Sequence, residues 1–474
     1  MTLIIFSLIF YTILTAFKPR LAILAIVFAL PSYLIRFEVL GIPFTFLEAM
    51  ILIVFAFFVI QKGPEIIKRI KNKINNKSLN KLQNYPFRYE IIAILLVAYL
   101  AVFFSGFSLS ALGAFKAYFL EPIILYILII NYFHIKNDWK KIVWALSLSA
   151  LLISIVAFFQ QISGLYIFNE FWAQAETRRV TSVFPYPNAL GLYLAPVVLL
   201  TLGLSTSYLK DLKRLKNKFI SASLLLIILI SLLAMYFAKS EGALIATSIS
   251  IFIYLLIYNK QTRIIAISLI IISSTILSLS PQTHSYIKDK ALLRDKSGQI
   301  RISQWQETWQ MLKDDNNWLS GVGLLNYQEK VAPYHQEGIF IKDYQDPDWL
   351  RKTLFNQKFR QSAWQPLEIY LYPHNIALNF WVELGLLGLI IFMFLFIKIY
   401  IKAIKVLQNN QKQFKPMLVA IISSLSAIII HGLVDVPYFK NDLTALFWII
   451  ISLLALIIIH SKNHEKRTNH KNNS

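Results

Sequence analysis

Long apolar runs broken by short polar connections organise this chain. They fall at about Thr2 to Phe17, Leu21 to Ile35, Thr45 to Ile60, Glu90 to Phe104, Ala114 to Phe133, Ile142 to Gln161 and Asn188 to Leu209. Six more follow at Phe219 to Ala238, Ala243 to Tyr258, Ile264 to Ser280, Ile376 to Tyr400, Pro416 to Leu433 and Leu443 to His460. A helix rises about 1.5 Å per residue, so roughly 20 apolar residues cross the ~30 Å hydrocarbon core of a bilayer. The pattern predicts an all-α, polytopic membrane bundle of about 12–13 transmembrane helices, the first two runs being short.

The connections alternate in charge. Lys18 to Arg20, Lys62 to Arg88, Lys136 to Lys141, Lys210 to Lys218, Lys260 to Arg263, Lys402 to Lys415 and the tail from Lys462 are strongly basic. Basic connections gather on the cytoplasmic side, and all seven fall there if the N-terminus lies outside. The outer side then receives Arg36 to Phe44, Ser105 to Gly113, Ile162 to Pro187, the turn Lys239 to Gly242, Pro281 to Pro373 and Val434 to Asp442. The connection from Pro281 to Pro373 is much the longest, with acids and bases near balance and many Trp, Tyr, Gln and Asn. A connection of that length is expected to be a folded lid or site. Four parts follow: the first part of the bundle (1–280), a large extracytoplasmic loop carrying part of the site (281–373), the last part of the bundle (374–460) and a basic cytoplasmic tail (461–474). No internal repeat is visible, which argues against a secondary transporter.

Composition sharpens this reading. At 57% apolar and 15% charged, the chain is not a soluble globule. Its net charge of +22 would suit nucleic acid, but the bases sit between apolar runs, so topology accounts for the charge and no nucleic-acid partner is expected. The absence of cysteine excludes disulfides, zinc–cysteine sites and iron–sulfur clusters.

The candidate chemistry gathers in the outer connections. Pro373 cannot continue a preceding helix and Asn375 is a good N-cap, so a helix is expected from Ile376 with His374 at its mouth. The positive end of the helix dipole disfavours an imidazolium there, which leaves His374 as a neutral base or a plain interfacial residue. Pro187-Asn188 repeats this logic and opens a second helix towards the same outer pocket. QIRISQWQETWQMLKDD has Ile302, Trp305, Trp309 and Leu312 on one stripe, predicting an amphipathic helix in the outer interface. Arg301 opens that helix and would either grip a diphosphate bidentately or pair with a loop carboxylate. Arg178 and Arg179 lie in an outer loop and need an anion: a diphosphate, a lipid headgroup, Glu170 or Glu176.

Other residues carry competing readings. Gly321-Val322-Gly323 reads as a crowded backbone turn with no cofactor meaning, and Asp346-Pro347-Asp348 as a solvated turn rather than a metal site. Charged groups inside apolar runs are functional suspects: Glu383 near Gly385 and Gly388, Lys116 with Glu121, and His431 with Asp435 one turn apart. Thr45-Phe46-Leu47-Glu48 fits a capping box.

The run YPHNIALNFWVELGLLGL, preceded by RISQWQETW and LSGVGLLNY, resembles the signature of the O-antigen ligase and polymerase superfamily. RRVTSVFPYPNALGLYL, AKSEGALIA and HGLVDVPYFKNDLTALFW extend the resemblance from about Arg178 to Leu453. It implies a glycosyltransferase C-like enzyme of the bacterial inner membrane, working without metal or cofactor on the extracytoplasmic side. Such an enzyme passes a glycan from an undecaprenyl-diphosphate carrier to a hydroxyl of a lipid, glycan, protein or cell-wall acceptor, as in lipopolysaccharide biosynthesis. A repeat-unit polymerase of the same family and a flippase of lipid-linked sugars are the alternatives. The resemblance makes His374 the general base and Arg301 a ligand of the carrier diphosphate. Asn375, Glu383, Asn188, Glu241, His431 and Asp435 are supporting candidates. One departure stands out: many members have Ser-Arg-Gly where this chain has Ser240-Glu241-Gly242, so Lys239, Arg179 or Lys116 becomes the candidate for the missing charge.

Overall fold

A computed structural model describes residues 2–75, 85–209, 214–279, 281–314, 317–408 and 412–472. Parts of three basic connections, at 76–84, 210–213 and 409–411, lie outside the described residues, as do Ser280 and the side chains of the tail from Lys462. The chain is helical almost throughout. The first half contains α1 (Thr2–Phe17), α2 (Pro19–Phe28), α3 (Phe46–Asn75), α4 (Arg88–Phe104), α5 (Leu109–Phe115), α6 (Glu121–Tyr132), α7 (Ile135–Ser163), α8 (Glu170–Ala173), α9 (Pro187–Leu209), α10 (Leu215–Phe237), α11 (Glu241–Tyr258) and α12 (Lys260–Leu279). The large loop carries α13 (Pro281–Ala291), α14 (Lys296–Lys313), α15 (Asn317–Ser320), α16 (Tyr327–Val331), α17 (Trp349–Phe355) and α18 (Gln357–Ala363), and the chain ends with α19 (Ile376–Gln408), α20 (Lys415–Gly432) and α21 (Asn441–Asn472). Among the described residues there are also two small two-stranded antiparallel sheets, the hairpin β1 (Arg36–Val39) with β2 (Ile42–Thr45), and β3 (Gly338–Phe340) with β4 (Trp364–Pro366), which α17 and α18 separate in the chain.

Among the described residues, nine helices are long and apolar enough to cross a membrane, fewer than the expected 12–13. Of the other expected runs, Leu21 to Ile35 is divided into the ten-residue α2 and a 3-10 turn at Leu30–Leu34 containing Pro31. Ten residues reach only about 15 Å. Helices α1 and α4, at 16 and 17 residues, are also short, and α12 reaches the edge of the described residues. Ends of four of the seven basic connections meet. Two cavities of about 340 and 740 Å³ have Lys62, Asn131, Tyr132 and His134 in common, and Lys18 and Arg20 border one while His460 borders the other.

Helices α9, α20 and α21 are buried on nearly all sides and form the centre of the bundle. The feature that positions the site is a break in α19. Gly385 takes φ +73° and ψ 177°, so the helix is interrupted and the carbonyls before the break lose their usual partners. The loop after α15 supplies one of them, the Val322 N–H donating to the Val382 carbonyl at 2.8 Å, and it is tied further by the Leu325 N–H, which donates to the Glu383 side chain at 2.8 Å. Gly321, at φ +68°, lies against the Trp381 and Val382 carbonyls so closely that a Cβ would collide with them. The expected crowded turn is therefore the plug of a helix break, and buried Glu383 is part of the joint.

Helix α14 packs on the protein through a face other than most of its apolar stripe. Of Ile302, Trp305, Trp309 and Leu312, Leu312 is buried, while Trp309 is exposed and packs edge-on against Trp381. The buried face is Ser303, Gln304, Glu307, Thr308, Met311 and Leu312. Its polar members are satisfied by the loop: Thr308 shares a 2.8 Å hydrogen bond with Tyr327, and Glu307 accepts from the Gln336 N–H at 3.0 Å. Buried polar groups with such partners are tolerated where unpaired ones would cost several kcal/mol.

Gly321→Ala should destabilise the protein by at least about 3 kcal/mol, because backbone collision adds to left-handed strain. Gly106→Ala, at φ +64° in open space, should cost only about 1–2 kcal/mol. Thermal unfolding of the two purified variants checks the difference.

Candidate functional site

The mouth of α19 is built as its sequence dictates. Asn375 Oδ1 accepts from the N–H groups of Ala377 at 3.0 Å and Leu378 at 3.1 Å, a complete N-cap. Its Nδ2 donates to the Leu433 carbonyl at 3.1 Å, which ties the mouth to the end of α20. His374, just before the cap, adopts φ +43°, a left-handed conformation that turns the chain into the helix. Helix α14 grips the same segment. Gln304 Nε2 donates to the Tyr372 carbonyl at 2.7 Å, Trp305 Nε1 donates to the Pro373 carbonyl at 2.8 Å, and Gln304 Oε1 lies 3.0 Å from His374 Nδ1.

His374 borders a cavity of about 400 Å³ together with Trp172, Arg179, Asn188, Tyr370 and Asp435. That volume lies within the range of small-ligand sites. Burial holds the imidazole below its usual pKa; Asp435 opposes this and Arg301 adds to it. The ring is therefore neutral at pH 7, as expected from its place at the helix mouth. Asp435 is buried, accepting from the Val436 N–H at 2.8 Å and from Asn188 Nδ2 at 3.4 Å. Asn188 Oδ1 accepts in turn from Arg179 at 3.2 Å. Helix α9 begins at Pro187 and its mouth does face the cavity, but Asn188 links Arg179 to Asp435 instead of capping.

The predicted cations have separate fates. Arg301 donates through Nε to the Val434 carbonyl at 2.9 Å and through Nη1 to Ser297 Oγ at 2.6 Å. Among the described residues no carboxylate lies within ion-pair distance of it. Arg179 donates to the carbonyls of Ala238 at 3.0 Å and Lys239 at 3.3 Å, so its guanidinium lies against the turn that precedes Glu241. Burial lowers its pKa from the usual arginine value, and Glu241 opposes this. Arg178 is turned away: its nitrogens donate to the carbonyls of Ala173 and Gln161 at the end of α7. Lys116 pairs with Glu48 at 2.5 Å, and Glu48 also closes the expected capping box with Thr45. Lys239 is exposed, while Glu241 pairs with Lys290 of the large loop at 2.6 Å.

The remaining candidates separate in the same way. Glu383 belongs to the helix break. His431 is buried beside Gly242, shares no direct hydrogen bond with Asp435, and has an Nδ1 with no hydrogen-bond partner among the described residues. Asp346 accepts from the Asp348 N–H at 3.0 Å and pairs with Lys352 at 2.8 Å, which is the solvated turn that was expected. Among the described residues no three His, Asp or Glu side chains stand together as a metal ligand set.

Four contributors were not singled out: Gln304, Tyr186, Tyr372 and Lys440. Gln304 lies one turn from Arg301 on the same helix, a spacing the sequence displayed. Tyr186 and Tyr372 share a 3.0 Å hydrogen bond between their hydroxyls at the cavity wall. Behind Tyr186, the buried Lys440 ammonium stands 4.5 Å from that ring, with Phe184 and Tyr33 on its other sides at 5.7 and 6.0 Å.

Asn188→Leu leaves buried Asp435 short of a partner and should cost about 1–3 kcal/mol, read as a lower thermal unfolding midpoint.

Residues 225–393 match a family model described as O-antigen ligase. The match runs from within α10 to within α19 and includes Arg301, Gln304 and His374. No curated protein matches the chain.

Proposed function

We propose that this chain, a multi-pass membrane protein whose residues 225–393 carry an O-antigen ligase domain, is a glycosyltransferase that moves a glycan from an undecaprenyl-diphosphate carrier to an acceptor hydroxyl. The observation that carries the reading is one shared location: an imidazole at a helix mouth with Arg179 lining the same cavity, while Arg301, outside that lining, is held on the Val434 carbonyl next to Asp435 of the cavity wall. His374 of the cavity precedes the start of α19, whose far end carries Lys402 and Lys405, and this charge bias supports placing the reaction on the extracytoplasmic face of the inner membrane.

The chemistry requires few parts. His374 takes the proton from the acceptor hydroxyl across about 3 Å while that oxygen attacks the anomeric carbon. The bond to the carrier diphosphate breaks on the opposite face, which inverts the centre. The departing diphosphate keeps the electron pair. Arg301 and Arg179 offset its charge, and the mouths of α9 and α19 add their dipoles. Arg179 takes the role of the arginine missing at Glu241, because its guanidinium is held against the Ala238–Lys239 turn. Trp172 and Tyr370 present apolar faces suited to sugar rings.

His374→Ala should leave the protein folded and lower transfer by roughly 10²- to 10⁴-fold, measured with purified protein and lipid-linked glycan. Full activity in that variant removes the base assignment. Arg301→Ala should impair carrier use strongly, and Arg301→Lys should restore only part of it, since an ammonium cannot make a forked contact. Burial holds the pKa of His374 below the usual 6.5, so the ring gains its proton at a lower pH than a free imidazole and the acid limb of the rate profile should lie below that value. A limb above it would contradict the burial of the base.

A further inference from the structure

We infer that Gln304 is a positioning residue that fixes the tautomer of His374, holding the proton on Nδ1 and presenting the Nε2 lone pair for catalysis. The argument starts from the Tyr372 carbonyl, which can only accept a hydrogen bond. It lies 2.7 Å from one end of the Gln304 amide, so that end must be the NH2 group. The other end is then the carbonyl oxygen, and it lies 3.0 Å from His374 Nδ1. A carbonyl oxygen cannot donate. Nδ1 must therefore carry hydrogen, and in a neutral ring Nε2 does not.

The surroundings hold this arrangement in place. Gln304 is buried, its own carbonyl accepts from Thr308 Oγ1 at 2.7 Å, and the neighbouring Trp305 pins Pro373. Tyr372 and Tyr370 pack against the imidazole, with ring centroids 4.7 and 5.0 Å away. The charged or titratable groups that face or influence the ring are Arg301 of α14, Asp435 beyond α20, Glu368, Tyr370 and Tyr372 of its own segment, and Tyr186 and Arg179 across the cavity. An amide differs from a carboxylate in this position. It orients the ring without adding a negative charge that would favour the imidazolium.

This inference rests on the proposed role of His374, so its first test does not depend on activity. Full-length protein labelled with ¹⁵N in the histidine rings is reconstituted in liposomes, and the His374 signals are identified by their loss in His374→Gln. In the unsubstituted protein Nδ1 should be protonated and Nε2 bare. Gln304→Met, which keeps the volume but loses the acceptor, should give a mixture of tautomers. Gln304→Glu should raise the pH at which the ring titrates. A proton on Nε2 in the native chain, or an unchanged tautomer in Gln304→Met, overturns the inference. Kinetics then use as donor the lipid-linked glycan extracted from cells producing the His374→Ala variant. Gln304→Met should lower kcat by roughly 10- to 100-fold with little change in KM, and Gln304→Glu should move the acid limb upward. If the spectra behave as stated while His374→Ala retains full transfer, the base assignment fails and the tautomer assignment stands; if the unsubstituted protein transfers no glycan, the glycosyltransferase reading fails and the tautomer assignment again stands.

Discussion

A helix broken inside a packed bundle must find new partners for its backbone, and the site depends on how that requirement is met. Gly385 interrupts α19, and the segment from Gly321 to Leu325 packs against the break, giving the Val382 carbonyl a new donor and bonding the Glu383 carboxylate. In doing so the large loop is fixed to the bundle at a defined height. Ser105 Oγ donates to the Leu324 carbonyl at 3.2 Å, which extends the attachment to α4. With that joint in place, α14 lies across the mouth of α19, and Gln304, Trp305 and Arg301 are brought to His374 from about 70 residues away in sequence.

Charge follows the same economy. Lys116 is neutralised by Glu48, and Lys290 of the large loop by Glu241 and Asp295. Arg301, Arg179 and Arg178 are held mainly by neutral carbonyls, hydroxyls and amides, and of the three Arg179 lines the cavity. A guanidinium held by neutral groups is oriented while keeping most of its field, whereas one paired with a carboxylate is largely cancelled. The aromatic surround of Lys440 follows the same principle, since ring faces accommodate a cation without neutralising it.

Much of this was legible in sequence wherever one local rule dominated. The caps at Asn375 and Thr45 to Glu48, the helical class of the fold and the meeting of four of the basic connections depend on neighbouring residues or simple polarity. Three features required knowledge of distant partners. The buried face of α14 is polar, and apolar periodicity cannot identify a stripe whose stability comes from Tyr327, Gln336 and Tyr372. Asn188 looked like a cap because of its position after Pro187, but Asp435 and Arg179 claim its amide. Arg178 and Arg179 are adjacent and chemically identical. Only the fold turns one towards the end of α7 and the other into the cavity.

The left-handed backbone at His374 has a consequence for how the protein tolerates change. Side chains other than glycine lose about 1–2 kcal/mol in that conformation, and asparagine loses less than most. Variants ranked for robustness alone would therefore favour glycine or asparagine at this position over the native imidazole. Selection for hardiness and selection for chemistry pull in opposite directions at one residue, and a stabilising campaign blind to that conflict would discard the imidazole first.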